Sequence, residues 1–253
     1  MIKNTIREII RNLGWDMHRL TPSGDPVTQI VAALSQVRAN TVFDIGANTG
    51  QFAKGIRESG FIGKIISFEP LTSARKKLSV LAAHDHNWVV HDQCAIGDHD
   101  GAIEINIAGN SVSSSVLPMF TSHSSAALGS AYVGSEYVPI SRLDSIANRY
   151  LEPNSNLFIK IDTQGYEWQV LNGASESLKR AQGVLCELSL VPLYDGQWLW
   201  RDIIDRLDQE GFMLWAFQKG FTDPRTGQTL QMDGIFLRRS FLESGNERLK
   251  SQK

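Results

Sequence analysis

The sequence predicts an α/β fold: a mostly parallel sheet with helices on both faces. Short β-branched apolar runs alternate with stretches of helical periodicity along most of the chain, and that alternation builds a parallel sheet. The runs TVFDIG (41–46), KIISFEP (64–70) and LFIKID (157–162) are apolar for most of their length instead of alternating, as strands covered on both faces are.

The elements follow in order. Residues 26–37 read as a helix ahead of the first strand at 41–46. GQFAKGIRESG is helical with Gly60 as its stop, and KIISFEP is a second strand closed by a proline. LTSARKKLSVLAAH is helical again, NWVVHDQCAI holds a third strand, and GAIEINIA alternates as a strand with one exposed face does. Residues 109–134 are crowded with Ser, Gly and Ala and have no sustained periodicity. A loop of that length inside a compact domain is a functional lid or a disordered link. LFIKID, a helix from Gly165, GVLCELSL, a helix over 198–210, FMLWAFQ and GIFLRRS complete the series.

A chain of 253 residues is long enough for a full core and fits one domain with appendages. The reading is an N-terminal helical extension at 1–39, one catalytic domain at 40–240 and a tail at 241–253. Hydrophobic residues at 42% and charged residues at 21% exclude disordered and fibrous classes. A net charge of −2 gives no reason to expect a nucleic-acid partner. Cys94 and Cys186 sit in apolar runs without metal-ligand spacing, which points to reduced thiols and a cytoplasmic protein. No run has the roughly 18 apolar residues of a spanning helix. Ile2, Ile6, Ile9, Ile10 and Leu13 fall at helical spacing with Lys3, Arg7 and Arg11 between them. That segment reads as a helix docked on the domain, with peripheral membrane contact through residues 1–15 as the alternative.

In an open α/β sheet, ligands bind beyond the carboxyl ends of the strands, where strand order reverses. DIGANTGQF (44–52) occupies that place. A dinucleotide fingerprint starting at Gly46 would need glycine at positions 48 and 51, which hold Asn48 and Gln51. Asp44, two places before the first glycine, repels a pyrophosphate and favours a cation. Nineteen residues past Gly50, Glu69 ends the second strand, where a carboxylate accepts hydrogen bonds from ribose hydroxyls. Asp44, Gly46, Gly50 and Glu69 together describe a pocket for a nucleoside that carries positive charge.

The segments VFDIGANTGQF, ISFEP, CAIGDHDG, SRLDSIA, IKIDTQGYEWQVLNGA and CELSLVPLYDGQ, in that order, resemble the motif series of the FkbM-type S-adenosylmethionine-dependent methyltransferases. The resemblance covers about residues 41–239. It implies the class I methyltransferase fold, a Rossmann-like seven-stranded sheet whose last strand, near 234–239, runs antiparallel after a hairpin. It also implies S-adenosylmethionine as cofactor and O-methylation of sugars or secondary metabolites. Carried over by position, Asp44, Gly46, Asn48 and Gly50 face the methionine part of the cofactor. Glu69 faces the ribose, and Cys94, Ala95 and Ile96 the adenine edge. Many members have glutamate where this chain has Gln164.

Methyl transfer from a sulfonium asks the protein to align an acceptor oxygen and help remove its proton. In IKIDTQGYE (159–167), Asp162 stands at the carboxyl end of a core strand, placed to orient an acceptor, and Glu167 on the next helical turn can reach the same rim. The alternative for both is a cap on a helix N-terminus. Lys160 and Asp162, two apart on a strand, share one face about 6 to 7 Å apart. If they pair, Asp162 becomes a weak base, and His123 or Glu187 becomes the candidate proton acceptor. Two carboxylates without a third ligand give no metal site. The aromatics Tyr166, Trp168, Tyr194, Trp198, Trp200 and Trp215 suit the apolar faces of a sugar.

A DNA amino-methyltransferase would carry [ND]PP[YFW] where this chain has DTQGY, and a cytosine-carbon enzyme would need a Pro-Cys dipeptide, which is missing. The remaining alternatives are a nicotinamide-dependent oxidoreductase, opposed by Asn48, Gln51 and Asp44, and a binding module without catalysis. The acceptor is expected to be a small molecule or glycan; oligomeric state is left open.

Overall fold

The computed structural model describes residues 10–15 and 21–241. Positions 1–9 and 242–253, and with them most of the amphipathic N-terminal segment and nearly all of the C-terminal tail, lie outside the described residues. Leu13 and Trp15, at 71% and 74% exposure, are not docked on the domain. No helix among the described residues is long and apolar enough to cross a membrane.

The chain enters through helix α1 (Pro26–Gln36), started by Asp25, which accepts a hydrogen bond from Thr28 N, and by a proline in its first turn. Strands β1 (Thr41–Ile45), β2 (Lys64–Phe68) and β3 (Trp88–Val90) follow, linked by helices α2 (Gln51–Glu58) and α3 (Thr72–Ala82). After a second, smaller sheet the main sheet resumes. It continues with β7 (Leu157–Ile161), helices α6 (Glu167–Asn172) and α7 (Ser175–Arg180), β8 (Ala181–Ser189), α8 (Trp200–Gln209), β9 (Phe212–Lys219) and β10 (Gln231–Arg238). The seven strands lie in the order β3-β2-β1-β7-β8-β10-β9. β1, β2, β3, β7 and β8 are parallel, and β10 runs antiparallel to both of its neighbours. Strand order reverses between β1 and β7, so their carboxyl ends form the crevice.

Every residue of β1 and β7 is buried, which explains why neither strand alternates. Phe43, Ile45, Ile159 and Ile161 pack on one face with Leu171 and Ile203. Val42, Phe158, Leu185 and Ile235 pack on the other, against α1 and α2. Each such side chain contributes about 1.5–3 kcal/mol of burial, and the same register aims Asp44 and Lys160 at the second face.

Three features depart from expectation. The helix from Gly165 is two short helices broken at Gly173, where a Cβ would lie 1.8 Å from the Gly97 carbonyl oxygen. The serine-rich segment holds a short helix, α4 (Thr121–Ala126), and it ends in an unanticipated strand, β6 (Tyr132–Arg142). β6 is central in a three-stranded sheet with β4 (Ala95–Gly97) and β5 (Gly101–Ala108). Pro139 within it disguises a strand, since proline lacks the N–H a ladder needs. Here it sits opposite Ala102, one residue before β4 begins pairing at Ile140. Helix α5 (Leu143–Ile146) returns the chain to β7. Ile105, Val138 and Ile140 pack with Leu71 and Tyr166, forming a small core beside the crevice.

Candidate active site

A cavity of about 360 Å³ opens at the carboxyl ends of β1, β2 and β7, within the size range of small-molecule sites. At its β1–β2 end the wall is Gly46, Ala47, Asn48, Phe68, Glu69 and Leu71, with Cys94, Ala95 and Ile96 along one edge. At its other end it is lined by Lys160, Asp162, Gln164, Phe52, Leu185 and Asp233. Ser111, Val112, Ser114 and Val116, from the serine-rich segment, close one side together with Tyr166.

The first end is built from backbone. Gly46 has φ +73°, and a Cβ there would stand 1.8 Å from the Asp162 carbonyl oxygen. Only glycine lets the β1 turn approach the β7 turn that closely. Glu69, 4% exposed, receives the N–H of Asn48 (2.7 Å) and of Leu71 (2.9 Å), one on each oxygen. Burial raises its pKa from the ordinary 4.5 to about 7 against the pull of those two bonds. A carboxylate offers about four lone pairs, so two remain for hydroxyls in the cavity.

The second end is built from side chains. The Lys160 ammonium lies 3.3 Å from Asp44 and 3.5 Å from Asp162, and it donates to the carbonyls of Ile45 (3.2 Å) and Gly46 (2.8 Å). Burial lowers its pKa, but Asp162 and Asp44 outweigh burial, so the net shift is upward and the group stays charged. The expected pairing of Lys160 with Asp162 is therefore present, with Asp44 as a third member. The Gln164 amide nitrogen donates to Asp162 Oδ1 (3.1 Å) and to both oxygens of Glu187 (3.0 Å), while its oxygen accepts from the Tyr194 hydroxyl (2.9 Å). Gln164 is thus a neutral bridge between two carboxylates.

Gly46, Asn48, Glu69, Cys94, Ala95 and Ile96 all line the cavity, as do Asp162 and Lys160. Asp44 and Gly50 do not. Asp44 is fully buried under the turn, held by Lys160 and by the Ser67 hydroxyl (3.0 Å), so it supports the loop from beneath. Gly50, at φ +91°, begins α2 against Leu78, Leu81 and Trp88.

Glu167 is turned away from the rim. Its carboxylate accepts from the N–H of Thr163 (2.9 Å), the N–H of Gly165 (3.1 Å) and the Thr163 hydroxyl (3.2 Å), so it ties up the turn ahead of the helix, whose own N-terminus has no side-chain cap. His123 is buried behind the serine-rich wall, 3.2 Å from Ser113 Oγ and packed on Tyr194 and Phe221. Glu187 reaches the site through Gln164; burial and the nearby Asp162, Glu167 and Asp233 push its pKa well up. Of the aromatics, Tyr166 lines the cavity, Tyr194 is fully buried, and Trp168 stacks on Trp198 at 4.1 Å outside it.

The methyltransferase FkbM domain family matches residues 44–214, more than half of the chain. The chain belongs to that family. No curated protein sequence matches significantly. Solved structures with a similar fold include an rRNA methylase from Streptococcus thermophilus, at 11% identity and TM-score 0.46, covering 88% of this chain and 98% of that one. A TehB-like S-adenosylmethionine-dependent methyltransferase from Corynebacterium glutamicum aligns at 10% identity and TM-score 0.39, over 93% and 97%. Precorrin-6y C5,15-methyltransferase from Geobacter metallireducens aligns at 10% identity and TM-score 0.43, over 83% and 88%. These likenesses concern the fold.

The chain is thus a methyltransferase of class I fold with S-adenosylmethionine as methyl donor. The site fits that donor: Glu69 keeps free lone pairs in the cavity, Gly46 bares its backbone, and Cys94 to Ile96 supply an apolar edge. Among the lining groups that escaped the sequence analysis, two stand beside Lys160 or Glu187. Phe52 follows the glycine loop directly, and its ring lies 5.8 Å from the Lys160 ammonium. Asp233 stands on β10, paired in register with Glu187, and nothing local in QMDG marks it.

Proposed function

We propose that this methyltransferase acts on a hydroxyl of a sugar, carried by a glycolipid, a polysaccharide or a secondary metabolite. The observation that supports this most is the make-up of the cavity's second end. Asp162, 40% exposed at its side chain, lines the cavity together with Asp233 and the rings of Phe52 and Tyr166. Carboxylates accept hydroxyl hydrogen bonds, and aromatic faces cover the apolar faces of a pyranose. A nucleic-acid acceptor is disfavoured, because Asp162 and Asp233 line the cavity with Lys160 as the one lysine or arginine among the described lining residues, and carboxylates repel phosphates.

When bound, S-adenosylmethionine supplies an electrophilic methyl group on a positively charged sulfur, so alignment and proton removal are what the protein adds. Gly46, Asn48 and Glu69 would hold the donor. Asp162 accepts a hydrogen bond from a neighbouring hydroxyl of the acceptor and so fixes the direction of the one that is methylated. Lys160 and Gln164 are positioning residues that hold the two Asp162 oxygens in place. Glu167 keeps the turn at 163–165 in shape, Glu187 anchors the Gln164 amide, and His123 backs the serine-rich wall.

The test is S-adenosylhomocysteine formation with a panel of methyl glycosides, phenols, amines and a short RNA. Turnover is expected with glycosides, falling on the order of 10²-fold in kcat/KM for Asp162→Ala while S-adenosylhomocysteine still binds. Turnover of phenols, amines or RNA with none of glycosides would sink the sugar reading.

A further inference from the structure

With Asp162 held at both oxygens and His123 and Glu187 outside the cavity lining, the acceptor's proton needs another destination. Asp233 lines the cavity, and its carboxylate has no hydrogen-bond or ion-pair partner among the described residues. The strand register explains its place. β7 pairs with β8 in parallel through Ile161 and Cys186, and β8 pairs with β10 through Glu187 and Asp233. Asp162, Glu187 and Asp233 therefore form a row across three strand ends. Gln164 occupies the first two members of that row by donating to both. The third is left facing the cavity.

We infer that the Asp233 carboxylate takes the acceptor's hydroxyl proton during methyl transfer. This rests on the acceptor being a hydroxyl, whether of a sugar or of a phenol. The acceptor oxygen forms its bond to the methyl carbon as the carbon–sulfur bond breaks. Sulfur keeps that bond's electron pair and loses its positive charge, and the proton passes to Asp233 and then to water.

The surroundings of Asp233 tune it for this. Burial raises its pKa to about 6, the negative charge of Asp162 adds to the rise, and Lys160 opposes it. Its cross-strand neighbours are Glu187 on β8 and Gln218 on β9; the latter is neutral. Helix α1, PVTQIVAALSQ, carries no charge. A base poised slightly below working pH is deprotonated there and still accepts a proton readily.

The test uses the full chain and the fastest hydroxyl acceptor of the panel, with kcat/KM followed from pH 5 to 8.5. Wild-type turnover is expected to rise to a plateau with a midpoint near 6. Asp233→Asn is expected to lose about 100-fold on the plateau together with that midpoint, and Asp233→Glu to recover about a tenth of the rate. A second readout does not use turnover. In carboxyl-¹³C-aspartate-labelled protein without cofactor, one carboxylate should titrate near pH 6 in wild type and be missing in Asp233→Asn, with S-adenosylhomocysteine affinity unchanged. A hydroxyl acceptor turned over by Asp233→Asn within fivefold of wild type, or with the midpoint retained, overturns the assignment of Asp233 alone. Turnover confined to amine or RNA nitrogen overturns it together with the hydroxyl reading.

Discussion

Glu69, just beyond β2, and Glu167, just beyond β7, close two turns of one kind. Both carboxylates are 4% exposed, both accept two backbone N–H groups, and burial lifts both from 4.5 to about 7. Each turn also places a non-glycine residue in the left-handed region, Asn48 at φ +46° and Gln164 at φ +53°. They differ in what lies beyond the carboxylate. Glu69 has the cavity in front of it, whereas Glu167 is enclosed by its own loop, and the groups that reach the cavity from that turn are Asp162, Thr163, Gln164 and Tyr166. One device thus serves as a ligand site in one turn and as scaffolding in the other. Hydrogen bonding and pKa alone cannot tell the two apart; only the position of the cavity does.

Lys160 joins the two turns, because it donates to Ile45 and Gly46 in the first and pairs with Asp162 in the second. Breaking that joint carries the largest expected effect. Lys160→Met leaves Asp44 fully buried without a cation, and removing one partner of a buried pair costs about 3–5 kcal/mol. The Asp44 pKa is already raised, first by burial, and loss of the neighbouring cation raises it further. The deficit should therefore grow as pH rises from 5 to 8 in urea unfolding. A deficit under about 1 kcal/mol, or one independent of pH, would show that the two turns hold their shape without it.

Neutralising the two glutamates separately sharpens the comparison itself. Glu69→Gln should weaken S-adenosylhomocysteine binding about 10- to 100-fold, the worth of hydrogen bonds to a charged acceptor. Glu167→Gln should change it by less than about twofold. On stability the two should behave alike. A carboxylate whose folded pKa exceeds its unfolded one stabilises most below about 4.5, and that contribution is lost as pH rises to about 7. Each variant should remove up to about 1.4 kcal/mol per pH unit of that slope. Equal affinity losses in calorimetry would erase the distinction between ligand site and scaffold.

The same contrast explains what the sequence makes legible. The alternation of strands and helices and the β1–β2 end of the cavity follow from local signals: apolar runs between helical stretches, glycine where backbone must approach backbone, and an acid at a strand end. Asp44 carries the same signal yet points beneath the loop, because alternation along β1 sends it to the face of Val42 and Phe158. The second end depends on register between strands far apart in the chain, Asp162 with Glu187 and Glu187 with Asp233, and no local motif reports that. β6 stayed hidden because glycine, serine and proline interrupt it, and its partners β4 and β5 supply the reason it is a strand.

The smallest effect tests how the second turn differs from the first in carrying a wall. The Tyr194 hydroxyl donates to Gln164 Oε1 (2.9 Å) and to the Ser113 carbonyl (3.2 Å), and Ser115 Oγ donates to the Gln164 carbonyl (2.6 Å). These bonds tie the serine-rich segment to a residue whose own left-handed backbone costs of order 1–3 kcal/mol to maintain. Among the described residues, the first turn has no such hydrogen bond to that segment. Tyr194→Phe keeps the ring and removes one hydroxyl, a loss of about 1 kcal/mol. Because the loss falls on the tie and not on the sheet, amide exchange over 111–117 should quicken by roughly fivefold while β1 and β2 keep their protection. Exchange that quickened equally in all three would mean that Tyr194 supports the whole domain. Exchange unchanged at 111–117 would mean that Ser115 alone holds the wall on the turn.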